Sequence, residues 1–237
     1  MRIGFRFGWV PFFAAVLLVT LGVTLGRWQD GRAAQKMALA AKLAAGNAAA
    51  PLVLGPARLD PGAVELRRIT VIGQFVPGWA LYLENRPYQG RAGFYLLMPF
   101  RIDQSDMHVL VERGWLPRNS AERARLPVYA TPSGSVTIEG VARRNAGHVM
   151  QLGSAPMLRP DAIVQNVDVK QLAAASGLRL QPFVIEQTGA AADQLVRDWP
   201  APSLGVEKHR AYAFQWYALA LMALLFFVMT GIGRGTS

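Results

Sequence analysis

The chain contains no cysteine. That absence removes disulfides, thiolate nucleophiles, copper–thiolate centres and cysteine-ligated zinc from consideration. Histidine is nearly as scarce. His108, His148 and His209 are the only three, no two lie near each other, and no HExxH or comparable metal-binding spacing occurs. P-loop, GxGxxG and GxSxG contexts are missing too. Carboxylates are few, 15 against 25 basic residues. Asp161 with Asp168, or Glu84 with Glu112, can be imagined as pairs in space, but nothing in their spacing requires it. These shortages leave little from which to build a catalytic centre, so the chain reads as a protein that is not an enzyme.

Charge is absent from two long stretches, residues 7–26 and 211–233. A helix needs about 20 mostly apolar residues to cross the hydrocarbon layer, and both stretches are that long. The region between them carries nearly all the charge. The expected plan is a cytoplasmic tail over 1–6, a transmembrane helix over 7–26 and an extracytoplasmic domain over 27–210. A second transmembrane helix over 211–233 and a cytoplasmic tail over 234–237 complete it. The Leu25-Gly26-Arg27-Trp28 junction is a poor A-x-A cleavage site, so the first stretch reads as an uncleaved anchor. Nothing Arg- and Ser-rich precedes it, which favours a bacterial inner-membrane protein over a mitochondrial one. Arg2, Arg6 and Arg234 flank the spans, and they put both termini in the cytoplasm and the main domain on the periplasmic side.

The net charge of +10 is spread along the chain and forms no single block. It is consistent with a solvated surface or with attraction to membrane lipid. No nucleic-acid-binding motif accompanies it, so nucleic acid is not an expected partner.

Between the spans the pattern is mixed. Residues 27–45 are rich in Ala, Gln, Lys and Leu and extend the first span as a helix, with Gly46-Asn47 as the stop. Trp28, Arg32 and Lys36 are spaced by four and share a face of it. Residues 51–62 read as a loop with three prolines. Strands are expected over 68–75, 80–88, 93–102, 107–116, 135–142 and 178–186. The second and third of these form a hairpin through Tyr88-Gln89-Gly90-Arg91. Asp168 caps a short helix that Gly177 stops. The fold class is therefore α+β: two transmembrane helices flank an antiparallel β-rich domain, either a small α+β unit or an open barrel, with one short helix. Arg113-Gly114-Trp115 ends a strand, its glycine marking a bulge or a close approach. His108 and His148 are expected at the surface.

His209 lies just before the second charge-free stretch, followed by Tyr212, Ala213 and Trp216 at helical steps of three, four and seven. Two readings stand. A neutral imidazole can be an axial ligand to haem iron, with a small residue leaving room for a flat ring and aromatics to stack on it. Alternatively, Tyr, Trp and a polar residue only mark the end of a span. Gly22-Val23-Thr24-Leu25-Gly26 is a GxxxG motif that permits close helix contact at the same end, beside Trp28. Arg32 can meet a propionate or a lipid phosphate.

Several blocks together resemble the Surfeit locus protein 1 family of cytochrome c oxidase assembly factors. Leu25-Gly26-Arg27-Trp28-Gln29, followed by Arg32 and Lys36, is similar to the family's LGxWQxxRxxxK signature. Gly73-Gln74-Phe75 and Gly93-Phe94 to Pro99-Phe100 are similar to its strand blocks. Val109 to Pro117 resembles its VLVxRGWxP block, with Glu112 where Asn or Asp is common. His209 to Trp216 resembles its closing HxxYAxQW motif. Residues 158–168 lack the tryptophans common before the family's late helix. The resemblance implies a membrane chaperone that binds haem a transiently and assists its insertion into cytochrome c oxidase subunit I. Haem a synthase and membrane lipid are further candidate partners. It also implies His209 as the ligand to haem iron, with Tyr212, Trp216, Trp28 and Arg32 shaping the site. A haem-free scaffold that holds subunit I is the alternative.

Overall fold

The computed structural model describes every residue except 1–2, 6, 123–124, 151–155, 201–203 and 235–237. Arg2 and Arg6, used above to orient the chain, lie outside the described residues. The chain divides into two compact units. One comprises residues 1–42 and 201–237, the other residues 43–200.

The first unit is built on two helices. Helix α1, Trp9–Ala48, is one uninterrupted run of 40 residues, about 60 Å long, whose last turns belong to the second unit. Helix α4, Val206–Gly231, has 26 residues. Both are long and apolar enough to cross a membrane. Outside them a two-stranded ribbon joins the chain ends. Strand β1, Ile3–Phe5, pairs antiparallel with β10, Ile232–Arg234. The ribbon was not legible in residues of such mixed character.

The second unit is a β-barrel with a short helix on its outside. Its strands are β2 (Leu52–Val53), β3 (Arg68–Phe75), β4 (Leu81–Leu83), β5 (Gly93–Ile102), β6 (Met107–Pro117), β7 (Val136–Arg143), β8 (Ala162–Val164) and β9 (Arg179–Gln187). The spatial order is β2-β3-β7-β9-β6-β5-β4-β8, and β3 also pairs with β5. That extra pairing, Gly73–Phe75 against Phe100–Ile102, closes β3, β7, β9, β6 and β5 into a ring. Gly73 permits the closure: a Cβ there would lie 1.9 Å from the Arg101 carbonyl oxygen. The barrel is thus closed, where an open one was an expectation. The sheet is also not purely antiparallel. β2–β3, β4–β8 and β6–β9 run parallel. Parallel partners lie far apart in sequence, so no local turn signal announces them.

Alternation along the strands sorts side chains to two faces. Val71, Phe94, Leu96, Met98, Phe100, Val109, Val111, Phe183 and Ile185 fill the barrel. Leu81, Leu97, Leu110 and Val184 point outward and are covered by Val169 and Leu172 of α3, Val169–Ser176. Asp168 caps α3 by accepting from the backbone N–H groups of Lys170 and Gln171, and Gly177 ends it at φ +71°. At the hairpin, Gln89 and Gly90 both take positive φ, and Tyr88 and Arg91 exchange two backbone hydrogen bonds, as the turn sequence demands. The expected strand over 80–88 shrinks to Leu81–Leu83. Within the supposed loop 51–62 and just beyond it, Pro61–Val64 forms a one-turn helix, α2, capped by Asp60. A single 3-10 turn, Pro77–Trp79, precedes β4.

A bulge in β6 explains the Arg113-Gly114-Trp115 block. Leu96 pairs with Gly114 but Leu97 pairs with Glu112, so Arg113 is the extra residue. The bulge keeps Arg113 inside, brings Leu116 to the interior and turns Trp115 outward onto the Tyr88 ring, 5.2 Å between centroids. Gly114 sits where a Cβ would lie 2.8 Å from that of Leu195. Arg113 is fully buried. It donates to Thr131 Oγ1 at 2.8 Å, Ala130 O at 2.8 Å and Asp193 Oδ2 at 3.1 Å. Its guanidinium also lies 4.3 Å from the Phe75 ring centroid. One side chain therefore ties two long connections to the barrel wall.

A second buried polar group lies on the outer face. Glu112 and Glu186 are register neighbours on the parallel strands β6 and β9. The partner of Glu112 is thus Glu186. Glu84, the partner imagined from sequence, pairs with Arg118 at 3.3 Å. Glu186 is in an ion pair with Arg143. Glu112 Oε1 has no hydrogen-bond partner among the described residues. Burial first, and the Glu186 charge second, push the Glu112 carboxyl up to about 8, while Arg86 and Arg143 pull the other way. His108, expected at the surface, is buried where β6 meets β9, and burial lowers its pKa.

Two outcomes follow. Arg113→Met leaves the buried Asp193 carboxylate with Arg197 and the Leu195 backbone N–H. It should cost about 3 kcal/mol and lower the Tm by about 10 °C, read from tryptophan fluorescence on heating. The folded state holds the Glu112 proton to about pH 8, whereas the unfolded chain releases it near 4.5. The stability from this group is therefore full at acid pH, falls as pH rises between those values and levels off above them. Glu112→Gln should remove that slope and raise the Tm at pH 8 by about 5 °C. Melts at pH 5, 6.5 and 8 check both the slope and its loss.

Candidate functional site

The described residues contain no cluster of three or more His, Asp or Glu side chains able to hold a bare metal ion. A ligand site must therefore rest on one donor plus shape. His209 is the residue so placed. It lies in the first turn of α4, whose start at Gly205 has positive φ and no side-chain cap. Because the helix begins before His209, the steps to Tyr212, Ala213 and Trp216 are true helical steps.

Helices α1 and α4 run antiparallel and touch at the two glycines. A Cβ on Gly22 would lie 2.9 Å from the Ala220 Cβ and 2.9 Å from the Trp216 carbonyl oxygen. A Cβ on Gly26 would lie 2.4 Å from the Tyr217 ring. Only hydrogen at both positions lets the helices come this close. One turn further along α1, two side-chain hydrogen bonds clasp the pair. Gln29 Oε1 lies 2.8 Å from His209 Nδ1, and Tyr217 Oη donates to Asp30 Oδ2 at 2.7 Å. A carboxamide oxygen only accepts, so the ring nitrogen facing it donates. Nε2 of His209 has no hydrogen-bond partner among the described residues, and the ring is half-buried.

The other residues singled out from sequence surround this clasp to differing degrees. Ala213 is buried and leaves little bulk beside His209. Trp216 is half-buried, and its backbone faces Gly22. Tyr212 is 45% exposed and Trp28 57% exposed. Arg32 is exposed, with its guanidinium 5.9 Å from the centroid of the Trp28 ring and a 3.2 Å bond to Gln35. Trp28 and Arg32 thus meet each other. The side chain of α1 that reaches His209 is that of Gln29, which sequence reasoning passed over. Asp30 and Tyr217 were missed as well. Tyr217 lies two turns beyond His209, at the step of four that Ala213 also occupies, and that spacing was the available signal.

An apolar groove of about 540 Å³ lies between the same helices at their opposite end, lined in part by Pro11, Leu18, Leu219, Met222 and Phe226. Its lining holds no His, Asp or Glu, and Met222 contributes a thioether. Its one hydroxyl, Thr230 Oγ1, donates within its own helix to Phe226 O at 2.7 Å.

What the arrangement offers is one imidazole nitrogen without a hydrogen-bond partner among the described residues, with the exposed rings of Tyr212 and Trp28 on the two helices that carry the clasp.

The family model described as SURF1 family matches residues 15–221. A SURF1-like protein from Rickettsia felis is 25% identical over 224 residues, which cover 90% of this chain and 93% of that protein. A SURF1-like protein from Monosiga brevicollis is 27% identical over 239 residues, covering 90% of this chain and 84% of the other. An uncharacterized SURF1-like protein from Mycobacterium bovis is 27% identical over 165 residues, 66% of this chain and 56% of its own length. The matched region runs from the first apolar helix through the barrel to the second, and takes in Gln29 and His209 on the way: the chain belongs to the SURF1 family.

Proposed function

We propose that this protein is a membrane-anchored assembly factor for cytochrome c oxidase. It takes up haem a through His209, holds it transiently and assists its insertion into subunit I; it is a carrier and not an enzyme. The observation that carries the proposal is the state of His209. Its ring is anchored at Nδ1 by Gln29 and open at Nε2, in a family known broadly for oxidase assembly.

Each residue has a part to perform. His209 Nε2 would hold the iron. Tyr212, Trp216 and Trp28 offer aromatic surface to the macrocycle, and Arg32 offers a planar donor pair to a propionate. One protein ligand would suit a carrier, because release would then require one bond to break. In this account α1 and α4 cross the bacterial inner membrane and the barrel lies on the periplasmic side. Subunit I is the receiving partner, haem a synthase the candidate donor, and membrane lipid the surrounding solvent.

The test is an optical spectrum and pyridine haemochrome assay of the full chain, purified in detergent from cells that make haem a. The expected result is stoichiometric haem a in the parent and none in His209→Ala. Absence of haem from both proteins would replace the carrier with a scaffold that only grips subunit I.

A further inference from the structure

We propose that Gln29 is the positioning residue for His209, fixing which imidazole nitrogen is offered as a ligand and how strongly it donates to a metal. The proposal rests on the haem-carrying reading above and adds a residue to it.

The geometry comes from two helices. On α1, Gly22, Gly26, Gln29 and Ala33 follow one another at steps of four, three and four, and all are buried or half-buried. Gln29 is thus on the face that meets α4 and has few directions in which to extend. Its oxygen lies 2.8 Å from His209 Nδ1. The neighbouring Asp30–Tyr217 bond at 2.7 Å and the Gly26–Tyr217 contact hold the helices at the distance this bond needs.

An acceptor at Nδ1 has two chemical consequences. It selects the neutral tautomer with the proton on Nδ1, so the lone pair resides on Nε2. It also draws the Nδ1 proton outward, which makes Nε2 a stronger donor to a metal. A carboxamide does this less than a carboxylate and more than no partner at all. Gln29 therefore sets an intermediate ligand strength, which suits cargo that must be both held and released.

The experiment uses the full chain in detergent, with haem a added as the probe. Parent, Gln29→Leu, Gln29→Glu and His209→Ala are compared by haem titration and by spectroelectrochemical titration of the bound haem. Gln29→Leu should weaken haem a binding by about 10-fold or more and raise the reduction potential of what remains bound. Gln29→Glu should retain the binding and lower the potential below the parent value, because a carboxylate partner increases imidazole basicity. If His209→Ala binds haem a with the parent spectrum, the carrier reading itself fails, whatever the Gln29 variants do. If His209→Ala loses haem while both Gln29 variants match the parent in affinity and potential, Gln29 has no positioning role. Equal loss of affinity in both variants, without the ordered shift in potential, would also overturn the proposal, since it would mark Gln29 as a packing residue only.

Discussion

The close approach of α1 and α4 at Gly22 and Gly26 is the constraint on which the candidate site depends. Side chains reach only a few ångströms, so Gln29 can meet His209 only if the backbones beneath them nearly touch. A methyl group at Gly26 would overlap the Tyr217 ring and force the helices apart. Where lipid surrounds such helices, burial of apolar area no longer favours their pairing. Packing at the two glycines and the two polar clasps above them must then supply it. The Gln29–His209 bond thus serves the helix pair and the imidazole together, and loss of the contact would disturb both.

The barrel unit answers a different need. Its ring closes at Gly73, and its interior is filled by alternating side chains from five strands. Two of the polar side chains it buries serve its architecture. Arg113 ties two connections to β6, and Trp115 donates to the Arg86 carbonyl at 2.7 Å. Arg113 and Trp115 thereby fix the RGW block to the connections around the barrel. Glu112 sits beside Glu186, and burial pushes its carboxyl pKa up. In the proposed account the helix pair carries the cargo and the barrel lies on the periplasmic side.

Much of this was legible from residue order. The charge-free stretches gave the two long helices, alternation gave the main strands, and Asp168 with Gly177 bounded α3. What escaped detection was non-local. The parallel pairing of β6 with β9, the closure of β3 on β5 and the Arg113 bulge each depend on residues far apart in the chain. The burial of His108 has the same origin, since β9 covers it. At the site, His209 stood out because histidine is rare and its neighbours are aromatic. Gln29 did not, because a glutamine in a helix is ordinary until its partner across the helix pair is known.

The central claim is that His209 presents an open Nε2 because Nδ1 donates to Gln29. It can be tested directly on the nitrogen-15 imidazole spectrum of the full chain in detergent, recorded before and after addition of haem a. With three histidines in the chain, each ring can be assigned by single substitution. The account predicts that His209 carries its proton on Nδ1, and that haem a shifts or broadens the His209 signals while those of His108 and His148 persist. A proton on Nε2 in the free protein, or His209 signals untouched by haem a, would contradict it.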